Sequence, residues 1–168
     1  DNDQLHRFIT NGNAARGYGR YDEAAYALDG MKIRFQSNSY EGFSFGVSYE
    51  PCMEHNSAAA SATDCNSTTA PSEHGQYDDL TDMVIKYSGE FDGVGVGVTY
   101  GYQTGSTNIV AGTEYNDLKG QTLSGQLTYG GVTLIARNND LGDSGQIKTN
   151  TDDGDEEAQT YAVRYDMG

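Results

Sequence analysis

The stretch MKIRFQSNSYEGFSFGVSYEP, residues 31–51, decides the fold because its character changes at every second residue. Apolar side chains at Met31, Ile33 and Phe35 alternate with polar ones, and the alternation resumes at Phe43 after SNSYEG. A period of two is typical of a β-strand that presents two different faces. The stretch therefore predicts two strands joined by a short turn, each with one apolar and one polar face.

The same alternation recurs along the rest of the chain. It is found in the stretches DMVIKYSGEF, GVGVGVTYGYQ, QTLSGQLTY, GGVTLIAR and AQTYAVRYDMG. One residue breaks it, because Ile135 falls among the polar positions of its stretch. Helical periodicity is nowhere sustained, so the sequence predicts an all-β fold with seven strands.

The connections between these predicted strands alternate between short and long. Short turns are predicted at residues 37–42, 89–93 and 130–131, and long polar loops at about 51–79, 104–117 and 138–157. Transmembrane β-barrels have this layout, with short periplasmic turns and longer extracellular loops. A soluble β-sandwich seldom keeps such an order over seven strands. The pattern therefore favours an antiparallel transmembrane β-barrel.

Composition excludes several classes of function. The chain has 168 residues, a formal net charge of −15 and a pI near 4.2, so nucleic acid is not an expected partner. The sequence contains no phosphate-binding loop, no readable Ser–His–Asp arrangement and no paired histidine spacing. We therefore expect neither an enzyme nor a transition-metal cofactor. No apolar run reaches the length of a membrane helix, but barrel strands give a much weaker apolar signal.

The charged residues distinguish the two faces of the predicted strands. Nineteen of the 25 acidic residues lie in the long loops or in residues 1–30, whereas six of the ten basic residues lie in strands. A cation at the membrane midplane costs about 2–4 kcal/mol in such barrels. Lys119 shares the apolar parity but lies beyond the expected hydrocarbon band. The other five fall on the polar parity, which predicts that the apolar face meets lipid and that these residues line water: Lys32, Arg34, Lys86, Arg137 and Arg164.

Three stretches resemble strands of a known family. MKIRFQSNSYEGFSFGVSYEP, VGVGVTYGYQTG and YAVRYDMG are similar to strands of Gram-negative general porins, especially the alphaproteobacterial type. The chain departs from that pattern at Phe35, where Tyr is usual, and at Asn38, where Pro is common. The resemblance covers most of residues 31–168. It implies a homotrimer of roughly sixteen-stranded barrels in the bacterial outer membrane, contacting lipid and lipopolysaccharide and passing small hydrophilic solutes and ions by diffusion.

The resemblance also assigns roles to the two parts of the chain. Seven strands are an odd number, and bacterial barrels have even numbers, so we expect residues 31–168 to be part of a larger barrel within a longer protein. Residues 1–30 would then be the constriction loop that folds into the barrel. Its acidic residues Asp22, Glu23 and Asp29 would face the five basic residues of the strands, which we call the basic wall. The opposed charges would create an electric field across the channel. The alternative is that they are solvated loop residues.

Two further groups in the predicted loops have a possible chemical role. Cys52 and Cys65 lie in one long loop, where an oxidising exterior favours a disulfide over two free thiols.

The stretch TNTDDGDEE places Asp152, Asp153 and Asp155 close together, as a calcium site requires. It lacks the complete pattern of a calcium loop, so a solvated acidic loop is the alternative.

Two other functions remain open from the sequence. The same barrel could be a substrate-specific outer-membrane channel, which would show saturable uptake of one solute. A surface-exposed β-rich binding or adhesion module would instead bury the Val, Tyr and Phe side as a core. Sequence alone does not separate a general from a specific channel, because that difference depends on pore geometry.

Overall fold

The computed structural model describes residues 33–52, 77–149 and 155–166, and these residues form one antiparallel β-sheet. Each strand pairs with its neighbours in chain order, and the described residues contain no helix. The all-β antiparallel prediction is therefore confirmed. None of the described residues belongs to a helix with the length and apolarity needed to cross a membrane. The strands are β1 Ile33–Gln36, β2 Phe43–Cys52, β3 Asp78–Phe91, β4 Val94–Ser106, β5 Leu118–Tyr129, β6 Val132–Gly142 and β7 Glu156–Tyr165.

The tight turns are built from pairs of residues with positive φ. Asp92 and Gly93 join β3 to β4 with φ of 49° and 78°, and Gly130 and Gly131 join β5 to β6 with φ of 55° and 82°. Positive φ at both central residues is the signature of a two-residue type I′ hairpin, whose twist matches that of the strands. The turn predicted at residues 89–93 is shorter than expected, because Gly89 still pairs within β3.

The long loops are also shorter than the sequence predicted. The predicted loops began at residues 104 and 138, but β4 continues to Ser106 and β6 continues to Gly142. The ladder still pairs Asn139 with Ala158 and Asp140 with Glu157. Backbone hydrogen bonds do not need apolar side chains, so the strands extend past the point where the alternation of side chains ends.

The two faces of the sheet differ in exposure in the opposite sense to a soluble sandwich. We call the apolar, more exposed side the outer face and the polar, less exposed side the inner face. On the outer face the side chains of Phe45, Leu127 and Val163 are 53%, 50% and 70% exposed. On the inner face Thr133 and Asn139 are only 4% and 5% exposed. The predicted parity of the strands is thus confirmed, and the apolar side is not a buried core.

A small apolar cluster lies on the inner face at the end of the sheet that carries the long connections, the long-loop end. It consists of Tyr77, Leu80 and Leu118, with Leu141 packed against them. Nearby, residues 107–117 and 143–149 pair with each other through a bridge between Tyr115 and Ile147. The sequence did not predict this cluster, because Leu80, Leu118 and Leu141 stand on the polar parity of their strands and Tyr77 precedes β3. It anchors the long-loop end of the sheet.

Candidate functional site

The inner face is organised in rows that run across the strands, because residues of the same parity stand opposite each other in the ladders. The central row contains only hydroxyl groups and two cations. Neighbouring strands lie ~4.8 Å apart, so the backbones of Lys86 on β3 and Arg137 on β6 are roughly 14 Å apart. The members of this row are Ser44, Lys86, Thr99, Ser124, Arg137 and Thr160.

The next charged row lies four residues nearer the long-loop end along β3. Arg34 stands opposite Ser48 in this row, and Ser48 stands opposite Asp82. The Arg34 guanidinium donates from Nη2 to Gln36 Oε1 at 2.9 Å. Arg34, Lys86 and Arg137 therefore lie on one face of the sheet, as the sequence predicted.

Arg164 also lies on the inner parity, but its charge is locally paired. It stands opposite Thr133, near the tight-turn end of the sheet. Its Nη2 lies 2.5 Å from Asp166 Oδ2, and both side chains are more than a third exposed. An exposed pair of this kind contributes little to stability. It does reduce the net positive charge that Arg164 presents to its surroundings.

Asp82 is an inner-face acid that the sequence analysis did not include among the site residues. Its Oδ2 accepts a hydrogen bond from Ser48 Oγ at 3.1 Å. Its Oδ1 is buried and has no hydrogen-bond partner among the residues that the structure describes. The signal was present in the sequence, because Asp82 shares the parity of Lys86 and stands four residues before it. Most acidic residues of the chain lie in the predicted loops, whereas Asp82 lies inside a strand.

Two grooves on the inner face meet at Asp82 and Lys86. The larger, which we call the β3–β6 groove, has a volume of about 280 Å³ and also borders Thr99, Gln103, Thr122, Arg137 and Asn139. The smaller has a volume of about 220 Å³ and also borders Arg34, Gln36, Ser44 and Ser48. The predicted basic residues of the described strands, except Arg164, therefore border two adjoining polar grooves.

Several predicted site residues lie outside the described residues: Asp22, Glu23, Asp29, Lys32, Cys65, Asp152 and Asp153. The constriction-loop role of residues 1–30 and the disulfide from Cys52 thus stay predictions. Asp155 lies just before β7 and is exposed. The described part of the chain brings together no three His, Cys, Asp or Glu side chains that could hold a metal ion. A calcium site at 152–155 also stays a prediction.

The outer face has an apolar band bordered by aromatic rings. Aromatic rings cluster at the tight-turn end, where the ring centroids of Phe43 and Tyr87 are 4.7 Å apart. Along β5 the outer face becomes polar towards the long-loop end, where Gln121 stands two residues before Leu123. From Tyr129 to Gln121 the strand rises ~26 Å, which at a tilt of ~40° is roughly 20 Å along a membrane normal. This is close to the ~25 Å apolar band of outer-membrane barrels.

Comparison with protein families identifies the chain. A family model described as Gram-negative porin matches residues 3–168. The chain belongs to the Gram-negative porin family. No curated protein and no solved structure shows significant similarity to this porin. Family membership places the porin in the bacterial outer membrane and accounts for a sheet whose apolar side is its exposed side. The resemblance inferred from residues 31–168 is confirmed.

Proposed function

We propose that this porin forms a water-filled channel through which small hydrophilic solutes and ions diffuse passively, and that the inner face lines the channel. One observation carries the proposal: Arg34, Lys86 and Arg137 share the inner face, while the outer face presents an apolar band. Water on the inner side solvates the cations, and hydrocarbon on the outer side covers the band. Residues 1–30, with Asp22, Glu23 and Asp29, are proposed to form the constriction opposite this basic wall.

The energetic cost of misplaced charge supports this orientation. A Lys or Arg on the lipid face near the midplane destabilises a barrel by about 2–4 kcal/mol. Among the described strands, the outer parity carries one cation, Lys119, which lies beyond Gln121 where the face is already polar. The reverse orientation would place Lys86 and Arg137 within the hydrocarbon.

The basic wall would set the ion preference of the channel, and the opposed constriction would orient the solutes that pass. Rings or rows of charged side chains set the preference of a channel for cations or anions. Lys86 and Arg137 form such a row at the centre of the described strands. Acidic residues facing this row across a narrow lumen would align dipolar solutes as they pass. We also propose a homotrimer in contact with lipopolysaccharide, as the family resemblance implies.

The experiment is a planar-bilayer recording of the full-length porin with a salt gradient. We expect a conducting pore, and we expect Lys86→Gln combined with Arg137→Gln to shift the reversal potential towards cation preference. The control is Lys119→Gln, which removes a positive charge from the outer parity and should leave selectivity unchanged. Absence of conductance in the wild-type protein would contradict the channel and favour a surface-exposed binding module.

A further inference from the structure

The β3–β6 groove carries charges of both signs on one wall. Asp82 borders it towards the long-loop end, and Lys86 and Arg137 border it in the central row. Thr99 and Thr122 lie between them and present hydroxyl groups. A groove that only repelled or attracted one sign of ion would not need an acid beside its cations. The groove therefore offers complementary charge to a solute that carries both signs.

The Asp82 carboxylate has capacity for a further donor. Ser48 Oγ donates to Oδ2, but Oδ1 is buried without a hydrogen-bond partner in the described part of the chain. A buried acceptor that lacks a donor is unfavourable, and such groups in folded proteins are nearly always satisfied. Rotation of the Asp82 side chain would turn Oδ1 towards the groove, where an ammonium group supplies a charged donor.

The spacing of the charges favours solutes whose two charges are several bonds apart. Asp82 and Lys86 are four residues apart on one strand, so their backbones are separated by roughly 13 Å. A fully extended peptide of three residues spans ~10 Å. The flexible Lys86 side chain makes up the difference. The two charges of a free α-amino acid are on adjacent groups, so it meets both ends only when the Lys86 side chain bends fully towards Asp82. Beside the ends, Thr99 stands opposite Lys86 and Gln103 opposite Asp82, and both can donate to and accept from peptide groups.

We propose that the β3–β6 groove is a binding subsite for short peptides with free termini. Their ammonium group lies at Asp82, and their carboxylate lies at Lys86, with Arg137 in the same row. The subsite rests on the channel function proposed above and adds a solute class to it. With a volume of about 280 Å³, the groove is smaller than the clefts of ~300–1,000 Å³ that enclose drug-sized ligands. It holds a peptide loosely, as conduction requires.

The test measures the reduction of ion current by peptides in planar bilayers containing the full-length porin. The probes are triglycine, N-acetyltriglycine, which lacks the ammonium group, and triglycine amide, which lacks the carboxylate. We expect triglycine to reduce the ion current saturably, and to do so at a concentration about fivefold lower than either analogue requires. The reason is that an exposed ion pair contributes up to ~1 kcal/mol. Equal potency of the three peptides would overturn the subsite.

Two variants assign the two ends of the peptide. Asp82→Asn should lower the potency of triglycine to that of N-acetyltriglycine and leave N-acetyltriglycine unchanged. Lys86→Gln should lower the potency of triglycine to that of triglycine amide. The matched control is Asp92→Asn, which makes the same change of charge in a tight turn where Asn tolerates the φ of 49°. An unchanged triglycine response in Asp82→Asn would remove Asp82 from the site.

The outcomes separate the subsite from the channel itself. In one outcome the wild-type pore conducts ions and the Lys86 and Arg137 variants change its selectivity, but the three peptides are equally potent. The channel function then stands and the subsite is overturned. A protein that conducts no ions overturns the channel function, and the subsite with it.

Discussion

Gly105 allows large side chains to pack against the backbone of β4 at the long-loop end of the inner face. A Cβ atom at this position would lie 3.0 Å from Tyr77 Cβ and 3.3 Å from the carbonyl oxygen of Asp78. Neither neighbour is the flexible end of a side chain, so neither can shift without moving backbone. At Gly120 the contact is Leu141 Cδ2 at 2.9 Å, and that methyl group can move aside. The apolar cluster therefore depends more strongly on Gly105.

We expect Gly105→Ala to destabilise the porin by about 1–3 kcal/mol, the range for overpacking a tight site. Gly125→Ala is the matched control, since a Cβ there meets nothing within 4 Å. The measurement is urea unfolding of the protein in detergent, followed by the loss of β-sheet circular dichroism. Equal stability of the two variants would show that the cluster adjusts without cost.

At the scale of elements, two connections at the long-loop end form an ordered unit. Residues 107–117 and 143–149 exchange backbone hydrogen bonds, including Asn116 N to Gln146 O at 2.8 Å and Gly145 N to Asn116 O at 3.0 Å. Asn116 Nδ2 also donates to Asp143 Oδ2 at 2.8 Å. The Tyr77 hydroxyl lies so close to Gly145 that a Cβ there would be 2.6 Å from it. Tyr77 thus joins the apolar cluster to the paired connections.

The ionisation of Tyr77 provides a pH-dependent test of this unit. Burial, with a smaller contribution from the negative charge of Glu156, raises the pKa of Tyr77 from 10.0 to about 12. The protonated phenol therefore stabilises the folded state fully below pH 10. That stability, at most about 3 kcal/mol, is lost as the pH rises from about 10 to about 12, because the unfolded chain ionises first.

We expect the difference in phenolate absorbance between the wild-type protein and Tyr77→Phe to titrate near pH 12. Titration of this difference at pH 10, like that of an exposed tyrosine, would contradict the packing of Tyr77.

Across the whole molecule, most acidic residues lie outside the strands that carry the basic residues. The net charge of −15 comes mainly from the predicted long loops, while the inner face of the sheet carries Arg34, Lys86 and Arg137. Fields between opposed charges are only partly screened when the aqueous gap is narrower than the Debye length of ~8 Å at physiological salt. The proposed constriction depends on such a field between Asp22, Glu23 and Asp29 and the basic residues of the inner face.

We expect replacement of Asp22, Glu23 and Asp29 by Asn, Gln and Asn to shift the reversal potential of the full-length porin towards anions. Conductance should change little, because the substitutions alter charge more than width. The measurement is a bilayer recording at two salt concentrations, with a smaller shift at the higher one. Wild-type selectivity in the triple variant would show that residues 1–30 do not form the constriction.

The sequence by itself determined the strands, their two faces and their order of short and long connections. Side-chain alternation and the cost of charge in lipid are local properties, so residues such as Val163 and Arg164 report their faces without knowledge of their neighbours. Strand ends were less well predicted, because backbone pairing continues at Asn139 and Asp140 after the alternation stops. The family resemblance was also available from residues 31–168.

Only the tertiary structure decided which inner-face residues stand together. Register places Lys86 in the row of Arg137 and places Asp82 opposite Ser48, and a shift of one residue would exchange the two faces. Likewise, Leu80 and Leu118 stand on the polar parity, yet they are buried because their strands bring them together with Tyr77. Such clusters depend on contacts between residues far apart in the chain, and the periodicity of one strand carries no information about its neighbour.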